Sequence, residues 1–525
     1  MNLTLLYAAT VIAGPLLLLA FWLVPDRVSN PRGRRFAILA SRASLVAVGF
    51  AGLAVIGRTL AGPLVLSGPF GIGLYFDNLS AIMLLLVSFL GAVVIRFSVN
   101  YLAGDPAQGR FIRWLCVTIG AVLTLIVSGN LLMFTIAWVA TSLSLHKLLT
   151  FYPERPAAML AAKKKFLISR LGDACLVGAL VATWNCFGTW QFTEMFAAAD
   201  AMRDTGSGSA CLTLSALLLV IGALLKSAQF PFHSWLPDTM EAPTPVSALM
   251  HAGIINAGGF LVVRLSPVIT CSPAALNALA LVGAFTALFA SVIMLTQTSV
   301  KRSLAYSTVA QMGFMMLQCG LGAFSLAILH LVAHSLYKAH AFLSSGSIVS
   351  ISKSAWTPSE RPGAHPVILA ATLAAAVGLT LAIGTLFGVH LTGGAGVLLL
   401  GSIFIMALAY LLWNLWSSSH RSSLILWGLI IASVTATAYF TLHLVFEKML
   451  AGAMPEYDPN RTPAEYFVMA LVGLAFMGVL ILQSQLPAWS TTRLGRAFYV
   501  HASHGFYLGT IFNRLTVAVS GKSTL

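Results

Sequence analysis

The chain has 525 residues, 58% of them hydrophobic and only 9% charged, with a formal net charge of +15. A surface facing water needs roughly a quarter of its residues charged, so a soluble globular enzyme is excluded. Nor does the positive charge indicate nucleic-acid binding, because the basic residues sit in clusters between apolar runs.

Apolar runs of about 20 residues, each long enough to cross roughly 30 Å of hydrocarbon, recur from end to end. They predict an all-α polytopic membrane protein with about fifteen transmembrane helices. The spans begin near residues 3, 36, 79, 114, 131, 165, 211, 243, 273, 303, 323, 366, 393, 423 and 464. Met1 to Val24 lacks a basic leader and a small-residue cleavage site, and Arg27, Arg32, Arg34 and Arg35 follow it. This pattern favours a retained first helix over a cleaved signal peptide.

Basic clusters then mark every second loop. They include Arg96, Arg110 and Arg113 after the third span, Lys163 to Lys165 after the fifth, and Lys301 and Arg302 after the ninth. Lys353, Arg361 and Arg421 continue the series, and Arg493, Arg496 and Arg514 close it. The positive-inside rule reads this as an N-out, C-in protein of the bacterial inner membrane. The stretch from Thr492 to Leu525 mixes arginines and histidines with aromatics, a composition suited to lying on the cytoplasmic face or docking a partner.

Cys116, Cys175, Cys186, Cys211, Cys271 and Cys319 show no CxxC spacing and mostly sit in apolar runs. They read as small hydrophobes, neither metal ligands nor a disulfide framework, and no cofactor is expected in this chain.

Ionisable side chains in a membrane core cost several kcal/mol, about 3 on insertion scales, and persist where they line a wet cavity or pair. Lys226, His251, His330, His334 and Lys338 fall in or near predicted spans, with His146, Lys147, Arg170, Asp173, Lys301 and His340 nearer their ends. His330, His334 and Lys338 follow an i, i+4, i+8 spacing that stacks them on one helical face. Histidine and desolvated lysine suit a proton relay, and no acidic ligand accompanies the histidines as a zinc site would require. Lys226 lies shortly before Gln229 and Pro231, and a proline frees a carbonyl in the preceding turn. An interrupted helix of this kind survives in a membrane only against protein or water, so Lys226 reads as a gate.

The run from Lys226 to Arg264 closely resembles the signature of the antiporter-like subunits of respiratory complex I and Mrp antiporters. Lys301 to Met315, His330 to Ile348, Ser169 to Leu176 and, more weakly, Tyr75 to Ser80 add matches in the same order. The resemblance implies two inverted five-helix repeats with broken helices, at 111–268 and 269–416, flanked by N-terminal helices 1–110 and a C-terminal part 417–525. It also implies that Lys226, His251, Lys301, His330, His334 and Lys338 line a polar axis across the membrane centre, with Asp173 at the mouth of the first half-channel.

Two departures stand out. Ala137-Trp138-Val139-Ala140 lacks the glutamate that follows the tryptophan in respiratory subunits, although His146 and Lys147 lie two turns on. Asp238 or Glu241 is a candidate substitute for it. Pro366 to Gly388 lacks the lysine of the later broken helix. With the motifs Ser142–Arg155 and Arg496–Tyr507, these departures resemble a narrower branch: membrane subunits of two-part inorganic carbon transporters. That branch implies a large zinc-binding soluble partner, resembling β-carbonic anhydrases, which performs the carbon chemistry. The alternative is an ion-pumping subunit of an NADH dehydrogenase-like or Mrp-type complex. A membrane enzyme with its own active site finds no nucleophile, metal or dinucleotide spacing in support.

Overall fold

The computed structural model describes residues 3–68, 73–205, 209–346, 366–388, 395–417, 422–455, 462–489 and 491–520. Lys353, Arg361 and Arg421, used above for orientation, lie outside the described residues.

Long apolar stretches that must satisfy every backbone group internally become helices. The chain begins with α1 (Leu3–Leu19), α2 (Gly33–Ala61), α3 (Asn78–Tyr101), α4 (Gln108–Val127), α5 (Leu131–Leu149) and α6 (Pro156–Phe187). A surface helix α7 (Phe192–Asp204) leads to α8 (Ala210–Lys226), and α9 (Thr244–Ala252) and α10 (Ala257–Arg264) form one interrupted span. Then come α11 (Pro273–Leu295), α12 (Val300–Gly320), α13 (Phe324–Leu343), α14 (Pro366–Leu386), α15 (Ala395–Ser417), α16 (Ser422–Leu450) and α17 (Pro463–Trp489). Two amphipathic helices, α18 (Arg493–Ser503) and α19 (Leu508–Ser520), close the chain.

Among the described residues 13 spans are long and apolar enough to cross a membrane. Two further predicted spans fall short of that measure for different reasons. Helix α8 has 17 residues because it stops at Lys226. Helix α12 has 21 residues but is diluted by Lys301, Arg302, Ser303, Ser307, Thr308, Gln311 and Gln318.

A short antiparallel hairpin, β1 (Leu64–Ser67) with β2 (Gly73–Phe76), pairs Leu64 with Phe76 and Ser67 with Gly73. Bridges Leu74–Ser128 and Asn130–Gln191 extend it into a rim over the helix ends opposite the basic loops. That rim also caps helices. The Asp77 carboxylate accepts from Ser80 N at 2.8 Å, and Asn130 Oδ1 accepts from Met133 N at 2.7 Å, each replacing a bond the first helical turn lacks.

One large apolar core joins α1 to α13, whereas α14, α15 and α16 share a small separate cluster. Helices α11 and α12 lie so close that a Cβ on Gly313 would come within 2.5 Å of Ala287 N. Small residues at such a crossing let backbones touch, which drives association where lipid offers no hydrophobic force.

Two expectations are corrected. Lys163 to Lys165 do not form a loop but lie within α6, where Lys164 and Lys165 are buried. Their neighbours Ala161 and Ala162 continue the helix, Lys164 is paired with Asp238, and Lys165 donates to Ser142 O. Cys186 and Cys211 are joined as a disulfide with Cα atoms 6.0 Å apart, because the end of α6 meets the start of α8 at the rim. Cys116, Cys175, Cys271 and Cys319 remain free.

Candidate functional site

Two interrupted spans frame the polar centre. Helix α8 ends at Lys226, and Ala228 takes a left-handed φ of 51° before a compact turn at Trp235–Asp238. The freed backbone finds partners. Ser227 Oγ donates to Ile255 O at 2.8 Å, and Phe230 N donates to Thr286 Oγ1 at 3.0 Å. A second break, which the sequence reading did not anticipate, follows His251. Gly253 separates α9 from a 3₁₀ turn at Ile254–Asn256, and Asn256 Nδ2 donates to both Ala252 O (2.9 Å) and Ser335 Oγ (2.7 Å). The two breaks face each other so closely that a Cβ on Gly258 would lie 2.3 Å from Ser227 Oγ.

Around the first break lies one cluster of charges. Lys226 Nζ donates to Ser142 Oγ at 2.8 Å and sits 4.4 Å from the Trp138 ring centroid. Lys165 Nζ donates to Ser142 O at 3.2 Å, so one serine links both buried lysines. Asp173, two turns along the same face of α6 from Lys165, pairs with Arg170 at 2.6 Å and acts electrostatically on Lys165 and Lys226. His146 lies within the field of Lys165, its ring 4.9 Å from that of Phe166. Asp238, considered above as a substitute for the missing glutamate, is instead bonded to Lys164. Asp173 is therefore the carboxylate whose field reaches Lys226, where Val139 supplies none.

The second cluster lies across α9 and α13. His251 is wholly buried, stacked 4.4 Å from Phe342, and feels the charge of Lys338. Lys338 is also fully buried and donates to Leu304 O at 3.2 Å. His334 and His330 continue the row with ring centroids 6.2 Å apart, and His330 Nδ1 meets Gln318 Oε1 at 3.0 Å. The i, i+4, i+8 face read from the sequence thus faces inward, whereas His340 is exposed. Lys301 stands apart from both clusters. Its Nζ lies 3.4 Å from Thr244 Oγ1, beside Asp238 and Glu241 in a polar cavity of about 390 Å³ at the end with the basic loops.

A further ionic contact holds the rim end of α10. Arg264 donates to both Asp77 oxygens at 2.7 and 2.9 Å and to Ser80 Oγ at 2.7 Å. Burial alone would push the Asp77 carboxyl up, but the bidentate guanidinium and the Ser80 amide hold it below the usual carboxylate range. All three residues stand in motifs the sequence singled out, Tyr75 to Ser80 and Lys226 to Arg264, but their pairing across 187 positions was not foreseen.

Such an arrangement of lysines, histidines and one carboxylate can pass charge stepwise through the protein interior. Comparison with known proteins fixes the family. The family described as "NADH:quinone oxidoreductase/Mrp antiporter, TM" matches residues 128–359, and "NADH-Ubiquinone oxidoreductase (complex I), chain 5 N-terminus" matches residues 66–112. A probable inorganic carbon transporter subunit DabB2 of Halothiobacillus neapolitanus is 39% identical over 96% of this chain and 93% of its own length. The chain belongs to the DabB family of antiporter-like membrane subunits. A probable DabB of Hydrogenovibrio crunogenus is 36% identical over 87% of this chain and 88% of its own. Subunit L of the NADH-quinone oxidoreductase of Mycobacterium tuberculosis is 40% identical over 53% of this chain and 43% of its own. Among solved structures, the Mrp complex of Dietzia sp. shares the fold at TM-score 0.58 and 21% identity, covering 97% of this chain and 56% of that one.

Proposed function

We propose that this chain is the cation-conducting membrane subunit of an energy-coupled inorganic carbon uptake complex. Protons or sodium ions move down their gradient through the Asp173–Lys165–Lys226 cluster and on to His251, Lys338, His334 and His330. His146 and Lys301 flank the inner approach to that row. The observation that carries this reading is the pairing of a nearly full-length carbon-transporter relative with two buried lysine clusters joined at facing helix breaks.

The carbon chemistry belongs to a large, soluble, zinc-binding, DabA-like partner on the cytoplasmic face, which hydrates CO2 and traps bicarbonate. Coupling needs a two-state element whose balance both the ion and the partner shift, and the facing breaks at Ser227 and Gly253 provide a hinge for it. The N-out, C-in orientation in the inner membrane is supported by two features. The basic clusters lie at one end, and the Cys186–Cys211 disulfide lies at the other, as an oxidising outer compartment favours.

The test is purification of the tagged chain from its native membranes in mild detergent, with zinc assayed in what travels with it. A single large zinc protein is expected. Quinone or flavin subunits, or small antiporter subunits without zinc, would return the chain to the respiratory or Mrp reading.

A further inference from the structure

Helices α11 and α17 end together on the face with the basic loops, and α18 spans the gap between those ends. Phe498 of α18 meets Trp489, the last residue of α17, with ring centroids 6.1 Å apart. At the other end of α18, Ser503 O accepts from Gln297 Nε2, just beyond α11, at 3.2 Å. A cavity of about 530 Å³ opens beneath this bridge. Val292 and Leu295 of α11, Leu482 of α17, and Phe498 and Val500 of α18 give it an apolar wall, with Gln483 as its one amide. Leu482 lies seven residues before Trp489, so the cavity reaches roughly 10 Å into the hydrocarbon at 1.5 Å per residue.

The mouth of the cavity is charged, and with one sign. Arg496 lines it beside Trp489 and Tyr499, aromatic residues of the kind that settle at headgroup depth. Leu494 and Val500 are exposed on α18, which places that helix in the interface and not in water. Neither α18 nor α19 has an acidic residue, while they carry Arg493, Arg496 and Arg514. None of these three arginines is in an ion pair among the described residues.

A guanidinium is a bidentate donor to phosphate, and basic pockets between spans on this side suit anionic headgroups. A free phosphate ion would leave the apolar wall uncovered. The ammonium of a zwitterionic headgroup would find arginines here and no carboxylate.

We infer that this cavity binds one anionic phospholipid of the leaflet on the basic-loop side, with Arg496 at its phosphate and an acyl chain between α11 and α17. The lipid seats the C-terminal helices over the first break. A row of rings leads there from the cavity wall: Phe498 to Phe506 at 5.9 Å, Phe506 to Phe289 at 5.6 Å, and Phe289 to His233 at 5.3 Å. His233 belongs to the turn behind Lys226, and Phe232 of the same turn meets Phe512 of α19 at 5.5 Å. Binding concerns neither the cargo nor the partner's chemistry, so it stands or falls apart from the carbon-uptake reading.

The test places the assembled complex in lipid nanodiscs with a phosphatidylglycerol that carries a diazirine on its acyl chain, and maps the photolabel by peptide mass. Label is expected at the ends of α11 and α17, displaced by unlabelled phosphatidylglycerol and not by the same concentration of phosphatidylethanolamine. Arg496→Gln should lower that label severalfold. Arg514→Gln, which removes the same charge from α19, should leave it unchanged. Val292→Trp, which fills the cavity and keeps the arginine, should lower it as well. Equal displacement by both lipids, or equal loss in Arg514→Gln, would overturn the anionic site at Arg496. Label spread evenly over lipid-facing helices such as α16 would show annular lipid only and overturn it too. So would displacement by inorganic phosphate, the mark of a bare anion site, or label that appears only once the partner subunits are stripped away. Amide exchange across α18 should rise severalfold in discs of phosphatidylethanolamine alone; unchanged exchange would deny the lipid its seating role.

Discussion

The segments α8 to α13 and α14 to α17 solve the same problem of crossing a membrane in opposite ways. In the first, the span that carries His251 is 94% buried within the protein, both of its breaks are bonded, and charges cluster at its centre. In the second, the span Ser423–Leu450 is only 17% buried, and its one histidine–carboxylate contact among the described residues is His443 with Glu447 at 3.9 Å. The difference follows from the cost of placing charge in hydrocarbon. Lysine and interrupted backbone collect where neighbouring helices shield them, and α14 to α17 keep their few ionisable residues toward helix ends. Charge is thus a property of the first region and insulation a property of the second.

Substitutions can break or sharpen that contrast. The largest effect is expected for Lys226→Ala, which should reduce transport to background while the complex stays assembled, checked by labelled bicarbonate uptake beside size-exclusion chromatography. Arg264→Ala leaves Asp77 buried without its partner and should cost about 3–5 kcal/mol of stability, read as a fall in melting temperature in detergent.

The same ion pair sets an acid limit. Because the folded Asp77 carboxyl titrates below its unfolded value, its contribution is present above the unfolded pKa and is lost as pH falls through the lower folded one. Melting temperature should therefore fall in strong acid, and Asp77→Asn should remove this component of the fall. Ser142→Ala removes a hydrogen bond to a lysine worth about 1.5–3 kcal/mol, so transport should drop roughly ten- to a hundredfold, measured as initial rate. The smallest effect is expected in the second region: Leu426→Ala, on a lipid-facing surface, should change stability by no more than about 0.5 kcal/mol.

Much of this was legible in the sequence. Apolar run length decides the spans, and the spacing of His330, His334 and Lys338 decides their common face, because both follow from helix geometry alone. The break at Lys226 was legible because Gln229 and Pro231 stand beside it. The break after His251 was not, since Gly253 carries no such punctuation and the bonds that stabilise it come from Asn256 to Ser335, 79 residues away. The carboxylate near Lys226 was sought at Asp238 and Glu241 because they are close in sequence. Asp173 reaches it only because α6 and α8 pack side by side. Lys164 and Lys165 looked like loop cations, for a cluster of like charges reads as solvated until Asp238 and Ser142 are seen beside them.

The Arg264 contact has a mechanical consequence. It pins the rim end of α10 to the start of α3 by three short bonds, while the cut at Gly253 uncouples α10 from α9. A displacement that begins at His251 is therefore not transmitted along a rigid rod to the far side. In the proposed cycle the segment would act as a short lever held at its rim end, its free end meeting Ser227 and Ser335. The rim end would stay fixed in that cycle while the centre changes shape.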